Sequence, residues 1–216
     1  MLHNLSDTDS LLNAYVAELR HHKRQRNPRL FRQNLHRIGQ IMAYEASKVM
    51  RFKKKSVETP LGVAEMRLPK EKIVVASILR AGLPLHDGVL DSFDKAENAF
   101  VSAYRKHHKN GTFDIRVEYL SCPDLTGKTL ILCDPMLATG MSMHLALEAL
   151  QVYGEPADIH AFTVIASTDG LDFFREQHPD VTLWAAAIDE ELTAKAYIVP
   201  GLGDAGDLAY GPKVQG

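Results

Sequence analysis

Asp134 ends a short apolar run, Thr129-Leu130-Ile131-Leu132-Cys133, whose length and composition are those of a strand buried on both faces. A small-residue turn follows at Ala138-Thr139-Gly140, and Met143, Leu147 and Leu150 then recur at helical spacing. Strand, acid, turn and helix in this order deliver backbone N–H groups to the positive end of a helix, and Thr139 and Ser142 add hydroxyl donors. Phosphate is the ligand such a turn suits. Asp134, at the carboxyl end of a parallel strand, stands where ligands bind in open α/β sheets; its carboxylate can accept from sugar hydroxyls or hold a hydrated Mg²⁺. The same spacing also describes an ordinary strand-to-helix turn with Thr or Ser as the cap, and spacing alone does not separate the two. The turn carries no Lys and no GxxxxGK(S/T) pattern, which argues against a nucleoside-triphosphate P-loop.

Three other stretches offer complementary groups. Lys72 to Leu79 reads as a second buried strand, so Arg80 just beyond it should share a rim with Asp134. A guanidinium there suits phosphate, or else satisfies a neighbouring acid or carbonyl. Ala99 to Tyr104 and Asp114 to Leu120 make a long hairpin or flap with a basic tip, Arg105-Lys106-His107-His108-Lys109-Asn110-Gly111, which reads as a lid over a polyphosphate or as a solvated loop. Tyr197 to Gly211, YIVPGLGDAGDLAYG, has neither helical nor strand period and is expected to be a loop. Its glycines would let main-chain groups approach a small planar base; a flexible tail is the alternative, against which Ile198, Val199 and Leu202 argue. The ten histidines form no HExxH and the two cysteines no C-x₂-C, so a dedicated protein metal site is not expected.

The elements that must hold these groups follow from the rest of the pattern. The 216 residues with 45% hydrophobic content suffice for one substantial core, and a single domain, 1–216, is expected. Within it the residues divide into an N-terminal helical segment (1–52), an α/β core (72–190) and the 197–211 loop. Ser6-Asp7-Thr8-Asp9 offers caps for a helix through Leu19, and a second helix runs from Pro28 to about Met50, so two helices should precede any strand and form an appendage or subunit contact. Val57 to Leu68 reads as a hairpin turning at Thr59-Pro60-Leu61-Gly62. Strands at Ile159–Ala166 and Val181–Ala187 flank a helix at Leu171–Gln177, and the alternation from Lys72 to Ala187 predicts an α/β fold, a parallel sheet covered by helices on both sides. The net charge of −2 gives no pull toward nucleic acid or anionic membrane, and the basic run His21 to Arg26 reads as a solvated face. Cys122 and Cys133 make no disulfide framework, no apolar run reaches spanning length and the first twenty residues lack an export signal, so a cytoplasmic setting is expected.

Taken together, Asp134-Pro135-Met136-Leu137-Ala138-Thr139-Gly140-Met141-Ser142, Ile78-Leu79-Arg80-Ala81-Gly82-Leu83 and Pro200-Gly201-Leu202-Gly203-Asp204-Ala205-Gly206-Asp207 resemble three signatures of the uracil phosphoribosyltransferase family, a branch of the type I phosphoribosyltransferases. Phe31-Arg32 and Tyr44-Glu45 match as well, so the resemblance covers nearly the whole chain. It implies a type I phosphoribosyltransferase-like sheet with N-terminal helices, a hairpin arm and a C-terminal base-binding loop. It implies that Arg80 and Arg105 grip pyrophosphate, that Ala138 to Ser142 cradle the 5′-phosphate, and that Asp134, with Pro135, Met136 and Leu137 beside it, holds the ribose. Ile198, Gly203, Asp204 and Ala205 would bind uracil, Asp204 also reaching the donor, phosphoribosyl pyrophosphate (PRPP), which carries its own Mg²⁺. The implied products are UMP and pyrophosphate, and a homo-oligomer, dimer or tetramer, is expected. A pyrimidine regulator that binds RNA would call for a coherent basic face, a purine-using enzyme would keep an adjacent acidic pair where Asp134-Pro135 stands, and a catalytically impaired nucleotide binder is hinted at only by Met141 and Leu208. Met141 stands where the family most often has Gly and is expected to adopt a helical φ; Leu208 and Pro212 replace a commonly basic residue and a common Thr.

Overall fold

The computed structural model describes residues 1–107 and 113–212, with backbone alone at 103–107 and 113–117. Strand β1 (Leu2–Asn4) leads through a single 3₁₀ turn to helices α1 (Leu11–Arg20) and α2 (Pro28–Ser47). The hairpin β2 (Phe52–Thr59) and β3 (Gly62–Pro69) follows. The core then runs β4 (Ile73–Leu79), α3 (Leu83–Leu90), β5 (Glu97–His107), β6 (Phe113–Ser121), β7 (Thr129–Cys133), β8 (Met136–Leu137), α4 (Met141–Gln151), β9 (Asp158–Ser167), α5 (Thr168–Gln177) and β10 (Thr182–Asp189). Two-residue strands β11 (Glu191–Leu192) and β12 (Ile198–Val199) and helix α6 (Ala205–Tyr210) complete it.

Eight strands form one sheet in the order β1-β10-β9-β7-β4-β5-β6, with β8 beside β9. Every pairing in it is parallel except β5 with β6, as the alternation of apolar runs and helices predicts. Side chains alternate across β7: Ile131 and Cys133 face the layer made by α1, α2, α3 and α6, while Leu130 and Leu132 face α4 and α5. All five residues of β7 are buried, which is why the strand reads as a continuous apolar run.

The expected N-terminal appendage is corrected in two respects. A strand does precede the helices: Leu2, His3 and Asn4 pair with Leu183, Trp184 and Ala185 at the sheet edge, and three residues are too few to show a period. The helices themselves cover the sheet, with Leu12, Val16, Leu19, Phe31, Leu35 and Ile38 buried in its core, so their apolar faces are already satisfied within the chain. The cap of α1 is Ser10, whose hydroxyl accepts from Leu12 N at 3.2 Å, rather than the residues at 6–9.

The hairpin turns at Pro60-Leu61 as predicted, pairs only with itself and begins five residues earlier than its alternation suggested, because the lysines Lys53, Lys54 and Lys55 mask the strand. Among the described residues no helix is long and apolar enough to cross a membrane.

Helices α2 and α3 meet through two glycines: a Cβ on Gly39 would run into the Leu85 carbonyl, and one on Gly88 into that of His36. Backbone cannot yield there as a side chain can, so Gly88→Ala should destabilise the fold by about 1–3 kcal/mol through overpacking, read as a lower urea midpoint at unchanged slope.

Candidate active site

Arg80 and Asp134 follow neighbouring strands held in register by the pairing of Ser77 with Cys133. Both therefore emerge on the carboxyl rim of the sheet, as expected. Asp134 N donates to Phe162 O at 3.0 Å, and its side-chain Oδ1 accepts from Met136 N at 3.3 Å. Pro135 O accepts from Val164 N and Ile165 N, which docks β8 onto β9 and interposes a two-residue strand that the sequence did not signal.

The turn then closes as the chemistry requires. Gly140 has φ 78° and caps α4 without a side chain, leaving first-turn N–H groups free of a side-chain acceptor from the cap. Helix α4 starts at Met141, so the residue where a second Gly was expected is helical and carries no positive-φ strain. Thr139 Oγ1 accepts from Met141 N at 3.4 Å, and Ser142 lies in the first turn. Two supporting residues escaped the sequence reading. Ser167 Oγ donates to Ala138 O and accepts from Gly170 N, and a Cβ on Gly170 would strike Ala138 O, so the start of α5 buttresses the turn.

The segment 197–211 is corrected from a loop to a short strand, a turn and a helix. Ile198 pairs with Leu192 in an antiparallel ribbon and is buried. After Leu202, Gly203 takes φ 95°, Asp204 Oδ1 accepts from Asp207 N at 3.0 Å, and α6 follows. Ala205, Leu208 and Ala209 pack against the core at helical spacing; glycines and a length of only six residues hid that pattern. Leu208 thus occupies its position by packing, where a basic residue was expected. From α2, Arg32 donates to Ala209 O and lies 5.6 Å from the Tyr210 ring centre.

Helix α6 also reaches the rim. Arg80 Nη2 lies 3.2 Å from Asp207 Oδ1 and 3.3 Å from Gly211 O, the acid-and-carbonyl alternative foreseen for this guanidinium. Each partner is about two-fifths exposed, so the pair contributes little to stability. A second Arg was missed altogether: Arg20 of α1 forms a two-pronged pair with buried Asp189 at 2.7 Å and 2.7 Å. Arg105 lies on β5 opposite Ile115; its side chain, and the tip from His108 to Gly111, lie outside what is described.

Burial pushes the Asp134 carboxyl up to about 7 from an ordinary 3.8, with nearby Asp204 acting in the same direction and the Met136 N–H opposing. Among the described residues no group of three or more His, Cys, Asp or Glu is arranged to hold a metal. Arg80, Asp134, the Gly140 turn and α6 with its leading acid make one rim with anion-binding backbone, one guanidinium and carboxylates. That combination can hold a sugar between a phosphate and a cation-assisted leaving group.

Fold and rim together define a type I phosphoribosyltransferase. The family model for uracil phosphoribosyltransferase matches residues 6–212, and the chain belongs to that family. It is 52% identical over 212 residues to the uracil phosphoribosyltransferase of Porphyromonas gingivalis, covering 98% of both chains. It is 41% identical over 187 residues to that of Methanothermobacter thermautotrophicus, covering 86% of this chain and 85% of the relative. A solved structure, the AQ2163 protein from Aquifex aeolicus, superposes over the full length of both chains with TM-score 0.88 at 30% identity.

The raised pKa means that the folded chain holds the Asp134 proton more tightly than the unfolded chain does. Stability therefore falls as pH rises from about 4 to about 7. Asp134→Asn, which can still accept from Met136 N, should remove that loss and raise the unfolding free energy at about pH 8 by on the order of 1–3 kcal/mol. Chemical denaturation at about pH 5 and about pH 8 checks this; an Asn variant no more stable than the parent at the higher pH refutes the strained carboxylate.

Proposed function

We propose that this chain transfers the 5-phosphoribosyl group of PRPP to uracil, giving UMP and pyrophosphate. The observation that carries this reading is the meeting, on one sheet rim, of Arg80, Asp134 and the Gly140 turn with the Gly203–Asp204 segment that opens α6, in a chain of this family. In this mechanism the turn from Ala138 to Ser142 holds the 5′-phosphate by its N–H and hydroxyl groups. Asp134 accepts from the ribose hydroxyls, and Arg80 and Arg105 hold the pyrophosphate. Arg80 exchanges the half-exposed Asp207 for a more highly charged partner as the donor arrives. Uracil lies against Ile198 and the main chain of Gly203, Asp204 and Ala205.

Uracil N1 attacks the anomeric carbon, the C–N bond forms as the bond to pyrophosphate oxygen breaks, and the N1 proton is released. Positive charge grows on the ribose near the Asp134 carboxylate while negative charge grows near the arginines, so fixed groups stabilise both changes. Mg²⁺ carried by the donor would supply charge neutralisation at the pyrophosphate, and Asp134 and Asp204 are the carboxylates that would meet its hydration shell. No side chain need act as nucleophile, because the base itself attacks once aimed.

This reading includes a homo-oligomer in the cytoplasm. With α1 and α2 engaged within the chain, the support for assembly passes to exposed apolar groups such as Leu61, Val63 and Met66 on the β2–β3 hairpin. Free Cys122 and buried Cys133 fit a reducing compartment.

Incubation with PRPP, Mg²⁺ and uracil, hypoxanthine or guanine should yield product from uracil alone; no UMP would sink the proposal. Asp134→Asn should cut turnover at least about tenfold, and Arg80→Met should raise the KM for PRPP about tenfold or more with a smaller change for uracil. Turnover within twofold of the parent in the first variant, or an unchanged PRPP KM in the second, would remove the role assigned to that residue.

A further inference from the structure

Gly201 lies three residues ahead of Asp204, in a turn so tight that a Cβ on it would run into Ile198 O. Both of its backbone groups are engaged by one charged pair. Arg20 Nη1 donates to Gly201 O at 3.0 Å, and Gly201 N donates to Asp189 Oδ2 at 2.9 Å. The same Arg20 grips Asp189 with two parallel bonds, Nη1 to Oδ2 and Nη2 to Oδ1. Asp189 is 6% exposed and Arg20 23%. Every hydrogen bond of the Asp189 carboxylate among the described residues goes to Arg20 or Gly201.

Arg20 is the last residue of α1 and Asp189 the last of β10, so the two ends of rigid elements converge on one peptide unit of an otherwise irregular segment. On the far side of Gly201, Leu202 and Ala205 are buried, which leaves Gly203 and Asp204 as an exposed span of two residues pinned at both ends. From this geometry we infer that Arg20 and Asp189 are positioning residues for the base: they fix the Gly201 turn and, through it, the main-chain groups at 203–205 that contact uracil. The inference rests on the uracil reading given above. A planar guanidinium is what the position demands, because a single group must bond a carboxylate twice and a carbonyl once. Among the described residues neither side chain bonds Arg80, Asp134 or the Gly140 turn, so their effect falls chiefly on the base and reaches PRPP only through Asp204.

Kinetics with each substrate varied separately test this in Arg20→Met, Arg20→Lys and Asp189→Asn, with thermal unfolding midpoints measured alongside. Arg20→Met should raise the uracil KM about tenfold or more while the PRPP KM stays within about twofold, and Arg20→Lys should recover part of the loss, since an ammonium keeps the charge without the fork. Should a single variant fail to fold from an unpaired buried charge, the double variant Arg20→Met/Asp189→Asn removes both charges and is read instead, with the same rise expected. A lowered midpoint with an unchanged uracil KM, or equal rises in both KM values, overturns the inference. A parent chain that makes no UMP at all sinks the uracil reading and this one with it, whereas an active parent with indifferent variants sinks this one alone.

Discussion

Strands β4 and β7 lie side by side in register, buried on both faces, and the rim depends on that pairing more than on any residue at the rim itself. Parallel strands present their carboxyl ends together, so two chain segments that leave the sheet two residues apart in register deliver a guanidinium and a carboxylate to the same edge. A slip of one residue would exchange the faces of Leu130 and Ile131 and carry Asp134 with it. The site is therefore as rigid as the core beneath it, and its loops have only to choose ligands.

Charge at the rim is unbalanced before any ligand is considered. Asp204 adds to the cost of ionising buried Asp134, while Arg80 leans on Asp207. Stability is spent at this edge to keep a carboxylate out of water, a familiar trade where a group must act on charge that appears only during reaction. The glycine contact between α2 and α3 and the dense layer under α1 supply the compensating packing.

The parts legible in the sequence are those decided locally. Ile73–Leu79 and Thr129–Cys133 are continuous apolar runs because both faces are covered, and Gly140 before Met141 marks a helix start. What was not legible depends on partners far along the chain or on elements shorter than a period. Leu2–Asn4 is a strand only because Leu183–Ala185 is waiting beside it. Helix α6 is one and a half turns, capped by Asp204 and held by Arg32 and Arg80, so its glycines outweighed its helical spacing. The partnership of Arg20 with Asp189 spans 169 positions and leaves no local trace. Arg80 was placed correctly on the rim, but which acid it would meet was not, since Asp207 arrives only with the folded helix.

The order of the chain adds a constraint in time. The phosphate turn, with its strand and helix, is translated well before Asp204, and the last main elements to appear, β10, the 198–201 turn and α6, must dock against α1 and α2 made at the very beginning. The base side of the rim is the last part to be completed, because Arg20 and Arg32 of the first helices meet Gly201 and Ala209 only once the final residues have been made.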